Sequence, residues 1–305
     1  MIRRSTTLIT IALSGLLGSV QALAQPQQQG PWVFTLNAAG AHQSETDLKD
    51  TSGGFAIDQW FVSAGIDYGW SRRDSVGISV GGGKSNYEFN ERSTFGGGQP
   101  WGDIEDFRVS LNGRFGFGET GSIFIIPTLR FNGEKGASNS DSRSWGLLSA
   151  ITWRLNENLT IGPGFGVFGK LEDGTRFFPI LAIDWNINDR WNLSTGRGLA
   201  ASGGPGLTLS YKLNDDWSLG LAGRYENQEF RLDDKGVAPG GIGRDQSLPL
   251  VFNASLTPNS KLSFNVFAGV EFAGKLKIKD ADDVVVEESK YDPAPIFGAT
   301  AQIRF

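Results

Sequence analysis

Alternation with period two dominates the chain. Val62, Ala64, Ile66, Tyr68 and Trp70 are separated by Ser63, Gly65, Asp67 and Gly69. Successive side chains of a strand point to opposite faces, so this segment writes one apolar and one polar face. The pattern recurs in Phe107, Val109, Leu111, Gly113, Phe115 and in Leu207, Leu209, Tyr211, Leu213. Leu248, Leu250, Phe252, Ala254, Leu256 and the terminal Phe297, Ala299, Ala301, Ile303, Phe305 repeat it. Taken along the chain it predicts fourteen strands, over 32–41, 57–70, 74–88, 103–116, 121–133, 143–155 and 159–169, then 176–187, 191–198, 205–213, 217–229, 246–256, 261–274 and 293–305.

The connections carry a second, independent signal. Short polar turns fall at 71–73, 118–120, 156–158, 188–190, 214–216 and 258–260. Longer connections alternate with them near 42–56, 89–102, 134–142, 230–245 and 275–292, with brief ones near 170–175 and 199–204. Three turns look alike, placing Asn followed by Glu or Asp between apolar residues at 155–159, 187–191 and 213–217. Asn and Asp tolerate left-handed dihedrals and bond to nearby backbone. Trp70, Trp153, Trp185, Trp191 and Trp217 cluster beside such turns, as an interfacial aromatic girdle does.

Many predicted strands exceed the about 9–11 residues that a tilted strand needs to cross a bilayer. Only closure satisfies the edge hydrogen bonds that lipid cannot. The expected fold is therefore all-β: a transmembrane antiparallel outer-membrane β-barrel of fourteen strands, with short periplasmic turns and longer extracellular loops. An even count puts both ends on the periplasmic side and makes the last strand the closing partner of the first. A soluble β-sandwich shares the alternation, but it predicts shorter strands converging on a packed core.

The first residues belong to another pattern. Arg3 and Arg4 precede a short apolar core, Thr7 to Leu17, and Ala22-Leu23-Ala24 fits a small-x-small cleavage site. Residues 1–24 are expected to be a cleaved signal peptide and 25–305 a single barrel domain. Only 25–31 then precede the first strand, which leaves no room for a separate N-terminal plug. Cysteine is absent, which excludes disulfides and thiolate chemistry. The whole chain has 28 basic and 33 acidic side chains; without Arg3 and Arg4 the formal charge is −7. That balance, with no basic tract, argues against nucleic acid as a partner. The 42 glycines suit strands that bend or pack closely rather than helices.

Across the mature region the chain resembles the Gram-negative outer-membrane β-barrels, and its pattern is similar to porin-like barrels. The last strand, 296–305, with alternate apolar residues and the terminal Phe305, looks like the assembly signal of those proteins. The resemblance implies the bacterial outer membrane as location. It also implies recognition by the outer-membrane assembly machinery and contact with membrane lipid and lipopolysaccharide.

If the apolar series face lipid, their neighbours line the interior. Pore-lining candidates are Asp67, Arg108, Asn112, Arg114, Arg130, Asp184, Arg224, Glu226 and Glu271. The middle of the chain departs from clean alternation: Phe124, Ile126, Phe168 and Phe178 have apolar neighbours, so one apolar face there must look inward. Local packing beneath a folded loop is one reading; an apolar path for hydrophobic or amphipathic solutes is the other. The acidic residues Asp280, Asp282, Asp283, Glu287 and Glu288 read as a solvated loop, with divalent-ion bridging to lipopolysaccharide as the alternative.

Hydrolytic chemistry would need a general base beside a nucleophile. The one histidine, His42, near Ser44, does not specify that geometry and reads as a polar rim residue, and no metal-ligand cluster is visible. The expectation is a non-enzymatic channel without cofactor, for passive or facilitated diffusion of a small solute. A non-conducting structural or surface-interaction barrel is the alternative. A monomer is expected, although apolar outer strands could also hide an oligomer interface.

Overall fold

The computed structural model describes residues 31–172, 174–195 and 206–305; the expected signal peptide and the 199–204 connection lie outside them. Among the described residues the strands run in chain order. They are β1 (Trp32–Asp47), β2 (Gly54–Gly69), β3 (Ser75–Phe89), β4 (Asp103–Phe117), β5 (Gly121–Glu134), β6 (Arg143–Arg154), β7 (Leu159–Gly169) and β8 (Thr175–Asn186). There follow β9 (Trp191–Ser194), β10 (Gly206–Lys212), β11 (Trp217–Arg224), β12 (Glu226–Arg231), β13 (Ile242–Asn259), β14 (Leu262–Lys279), β15 (Val285–Lys290) and β16 (Ala294–Arg304).

These segments make fourteen wall positions, because two positions are each built from a pair. β11 and β12 both pair with β13, and β15 and β16 both pair with β14. Wall neighbours in sequence pair antiparallel, and β16 closes the sheet on β1 from Thr35↔Arg304 to Gln43↔Ile296. Phe305 N–H donates to the Phe34 carbonyl at 2.9 Å, so closure extends to the last residue. The result is a closed antiparallel fourteen-stranded transmembrane barrel.

The three similar turns are tight for the reason their composition suggests. Asn156 Oδ1 accepts from Asn158 N at 2.9 Å, Asn188 Oδ1 from Arg190 N at 2.9 Å and Asn214 Oδ1 from Trp217 N at 2.8 Å. Each side chain thus stands in for a backbone acceptor. Around the wall the outward positions are apolar and exposed, including Phe34, Val62, Ile78, Leu111, Leu207 and Phe252. Eight of the nine tryptophans are exposed on this surface, among them all five beside the short turns. In water so continuous an apolar belt would be costly; against lipid it is the favourable face.

Of the strand expected over 191–198, Trp191–Ser194 is observed and Thr195 stays bonded to Ile183, while 196–198 lie outside the described residues. Two predicted elements change. The strand expected over 217–229 breaks at Tyr225 into β11 and β12. The expected 275–292 loop is a hairpin, with β14 extended to Lys279 and β15 returning. Three of its acidic residues are engaged with other elements or lysines: Glu288 pairs with Lys275 and Lys277, Asp283 with Lys279, and Glu287 accepts from Gly96 N at 2.8 Å.

That hairpin rises above the lipid belt, and there the wall inverts. On β14 Phe264, Val266 and Phe272 face outward, whereas Leu276 and Ile278, of the same parity, are fully buried inside. One extra residue between Phe272 and Lys275, beside the Ala273 backbone at φ 53°, makes the switch. A bulge exchanges the faces beyond it. Leu276 and Ile278 then join Phe55, Ile57, Tyr87, Phe95, Trp101, Ile104, Phe230 and Tyr291 in an aromatic core inside the outer mouth. Although no N-terminal plug exists among the described residues, this core fills one side of the mouth with side chains of the 90–102 connection and β12.

Candidate functional site

β12 divides the outer half of the barrel. Its Phe230 packs into the aromatic core, while the adjacent Glu229 faces the other way, towards β8. The strand leans inward far enough for Arg231 to pair with Gly133 of β5 in parallel, and Asn132 Nδ2 donates to the Glu229 carbonyl at 2.5 Å. What remains open is a cavity of about 1200 Å³ between β12–β13 and the inner face of β4–β8.

The strand register orders the inner face of this cavity in rows. One row runs Ile126, Leu148, Gly166, Phe178; the next, nearer the periplasm, runs Phe124, Ala150, Gly164, Ile180. Phe168 stacks on Phe178 at 5.6 Å with the rings 6° apart. Two glycines make room for these rings. A Cβ on Gly166 would lie 2.3 Å from Phe178 Cζ, and one on Gly146 2.6 Å from Phe168. Large residues beside glycines thus tile the wall without filling the lumen. The lining also takes in Leu248, Leu250 and Phe272 from the outward face of β13 and β14. Among the described residues β8 pairs with β7 over its whole length and with β9 from Asp184 to Asn186.

Towards the outside the apolar rows give way to guanidinium groups. Arg108 and Arg130 are register partners and share Asp106, with Arg108 Nη2 at 2.9 Å and Arg130 Nε at 2.6 Å from Oδ2. Opposite, Arg176 and Arg244 share Glu229, with Arg176 Nη2 at 2.6 Å from Oε1. Ser110 and Thr128 hydroxyls meet at 2.8 Å one row below the first group.

The sequence candidates separate into three places. Arg108, Asn112, Arg130, Arg224, Phe124, Ile126, Phe168 and Phe178 line the cavity. Arg114 lies nearer the periplasm, its guanidinium 5.6 Å from the Phe124 ring centre. Asp67 and Asp184 sit at the periplasmic ends of β2 and β8, where Asp184 accepts from Asn192 Nδ2 at 2.7 Å. Glu226, paired with Arg224, and the buried Glu271 lie together in the filled half, near Asp245. His42 Nδ1 lies 2.8 Å from Asp58 Oδ1 on the outer rim, and its ring packs 5.1 Å from Phe297. Among the described residues no group of three or more His, Cys, Asp and Glu is arranged to hold a metal ion.

Asp106 and Arg176 are absent from the sequence candidates, although their parity matches that of Arg108 and Phe178 and is the signal that finds them. For Glu229 no signal existed, because alternation cannot tell that β12 leans into the lumen while it stays paired with β13.

Residues 146–284 match the family described as a domain of unknown function, DUF6268. Among curated proteins none matches the chain in sequence. In structure the chain is similar to an outer membrane channel from Pseudomonas putida F1, at 10% identity and TM-score 0.48, over 95% of this chain and 100% of that one. It is similar to the P. putida toluene transporter TodX at 8% identity and TM-score 0.47, over 91% and 90%. A Pseudomonas aeruginosa FadL homologue aligns at 12% identity and TM-score 0.46, over 90% of each.

Proposed function

We propose that this protein is an outer-membrane channel for passive or facilitated diffusion of small apolar or amphipathic solutes. In this reading residues 1–24 direct export and are removed, and the strand ending at Phe305 is recognised by the assembly machinery. The barrel then resides among lipid and lipopolysaccharide, as a monomer. The observation that carries the reading is the cavity of about 1200 Å³ inside a transmembrane barrel, walled by Phe124, Ile126, Leu148, Phe168 and Phe178. Its size and apolar lining with a few convergent polar groups are those of a small-molecule site. Arg114, Asp184 and Asp67 form the polar exit towards the periplasm.

Purified, refolded protein in planar bilayers and in liposome-swelling assays tests this. Reproducible conductance or solute entry is expected. A second reading, a non-conducting structural barrel, is favoured by the aromatic core in the outer mouth. Persistent silence of a folded barrel, with no solute entry, would establish that reading instead.

A further inference from the structure

Chemistry in the cavity is stratified along the barrel axis. Arg176 shares its register row with Phe168, Gly146 and Thr128, and Arg130 stands two residues, one inward row, further out on β5. Immediately below them, towards the periplasm, come the Phe178–Leu148–Ile126 and Ile180–Ala150–Phe124 rows. A cationic collar therefore sits on an apolar well.

The collar carries more positive charge than its own carboxylates neutralise. Asp106 serves both Arg108 and Arg130, and Glu229 serves both Arg176 and Arg244. Each triad thus holds two guanidinium groups against one carboxylate. The acids are the more deeply placed members, with side chains 12% and 9% exposed, while Arg130 and Arg176 are 27% and 30% exposed. Arg108, Arg130 and Arg176 line the cavity; Glu229 is the one carboxylate in its described lining. Excess cation in a site of reduced dielectric favours an anionic guest, and planar guanidinium groups match carboxylate geometry.

We propose that this cavity selects amphipathic organic carboxylates. The carboxylate is held between Arg108–Arg130 and Arg176, and the apolar body lies on Phe124, Phe168 and Phe178. The inference rests on reading the cavity as a solute site and names the class of solute.

The test is equilibrium dialysis of the barrel, reconstituted in zwitterionic nanodiscs, against 4-butylbenzoate and its neutral analogue 4-butylbenzamide, corrected for empty nanodiscs. The carboxylate is expected to bind about tenfold more tightly than the amide, as a charge-assisted hydrogen bond allows. The double variant R130Q/R176Q should erase that preference, with carboxylate affinity falling to that of the amide. Phe178→Ala should weaken both ligands. Asp106→Asn removes a competing carboxylate and should tighten benzoate binding several-fold, a gain that misfolding does not produce. Equal affinity for the two ligands, a preference that survives R130Q/R176Q, or loss of benzoate binding in folded Asp106→Asn overturns the proposal. Conductance distinguishes the two levels: a conducting barrel without carboxylate preference sinks only this inference. A silent barrel that keeps the preference sinks only the channel.

Discussion

Glu229 and Phe230, consecutive residues of β12, belong to different compartments: Glu229 pairs with Arg176 across the cavity, and Phe230 is fully buried against Tyr87 and Trp101. One strand therefore separates the packed half of the outer mouth from the open half. The period-two geometry that elsewhere separates lipid from lumen here separates two parts of the lumen.

The inward position of β12 depends on its tie to β5. Asn132 is 2% exposed, and its amide bonds to the Glu229 carbonyl. Asn132→Ala leaves that carbonyl without its side-chain donor, a local loss of about 1–3 kcal/mol. Amides of β12 should exchange hydrogen at least tenfold faster while those of β2–β4 keep their protection; unchanged exchange in β12 would refute the tie.

Trp101, 1% exposed, makes edge contacts with Tyr87, Phe89, Phe95 and Phe230 at 5.1–5.9 Å between ring centres. Trp101→Ala should cost about 3–5 kcal/mol of packing. The loss is confined to the mouth, so protease sensitivity of the 90–102 connection and single-channel conductance should rise in a barrel that still folds. The Trp101 indole N–H has no partner, so Trp101→Phe should be far milder in both measurements.

Asp245 stands above the lipid belt, opposite Leu276, and accepts from the Tyr87 and Tyr291 hydroxyls at 3.0 and 3.1 Å. Burial pushes its pKa up from 3.8 to about 7, opposed by those hydrogen bonds and reinforced by Glu226. Between these values the folded protein holds a proton that the unfolded chain has released. Its contribution to stability therefore falls as pH rises from about 4 to about 7 and levels off above. Urea-unfolding midpoints in detergent should follow that slope, and Asp245→Asn should flatten it; an identical slope in the variant would contradict the assignment.

Two substitutions on opposite faces check which side meets lipid and which meets solute. Phe252, 71% exposed on β13, should tolerate Leu, whereas Phe252→Arg should cost about 2–4 kcal/mol of folding in bilayers. On the inner face, Gly166→Val would drive a methyl-bearing carbon into Phe178. Displacing that ring should reduce uptake of hydrophobic solutes more than it lowers the unfolding midpoint, as vesicle-entry assays on both proteins would reveal.

Much of this architecture is written locally in the sequence. Alternation marked the lipid faces, Asn-containing turns marked the periplasmic end, and Phe124, Ile126, Phe168 and Phe178 were visible as an inward apolar group because their neighbours are apolar too. These are local properties: side-chain parity and turn chemistry depend on residues a few positions apart. Three things were decided only in three dimensions. The Ala273 bulge turned Leu276 and Ile278 from an apparent lipid face into the plug core, which a count of even and odd positions cannot register. β12 kept its ladder to β13 but leaned inward to bond β5, across 97 residues from Asn132 to Glu229. That shift brought Glu229 to Arg176, and so made two arginine triads face one cavity. Such partners are set by closure of the barrel, a long-range condition that no window of the chain contains.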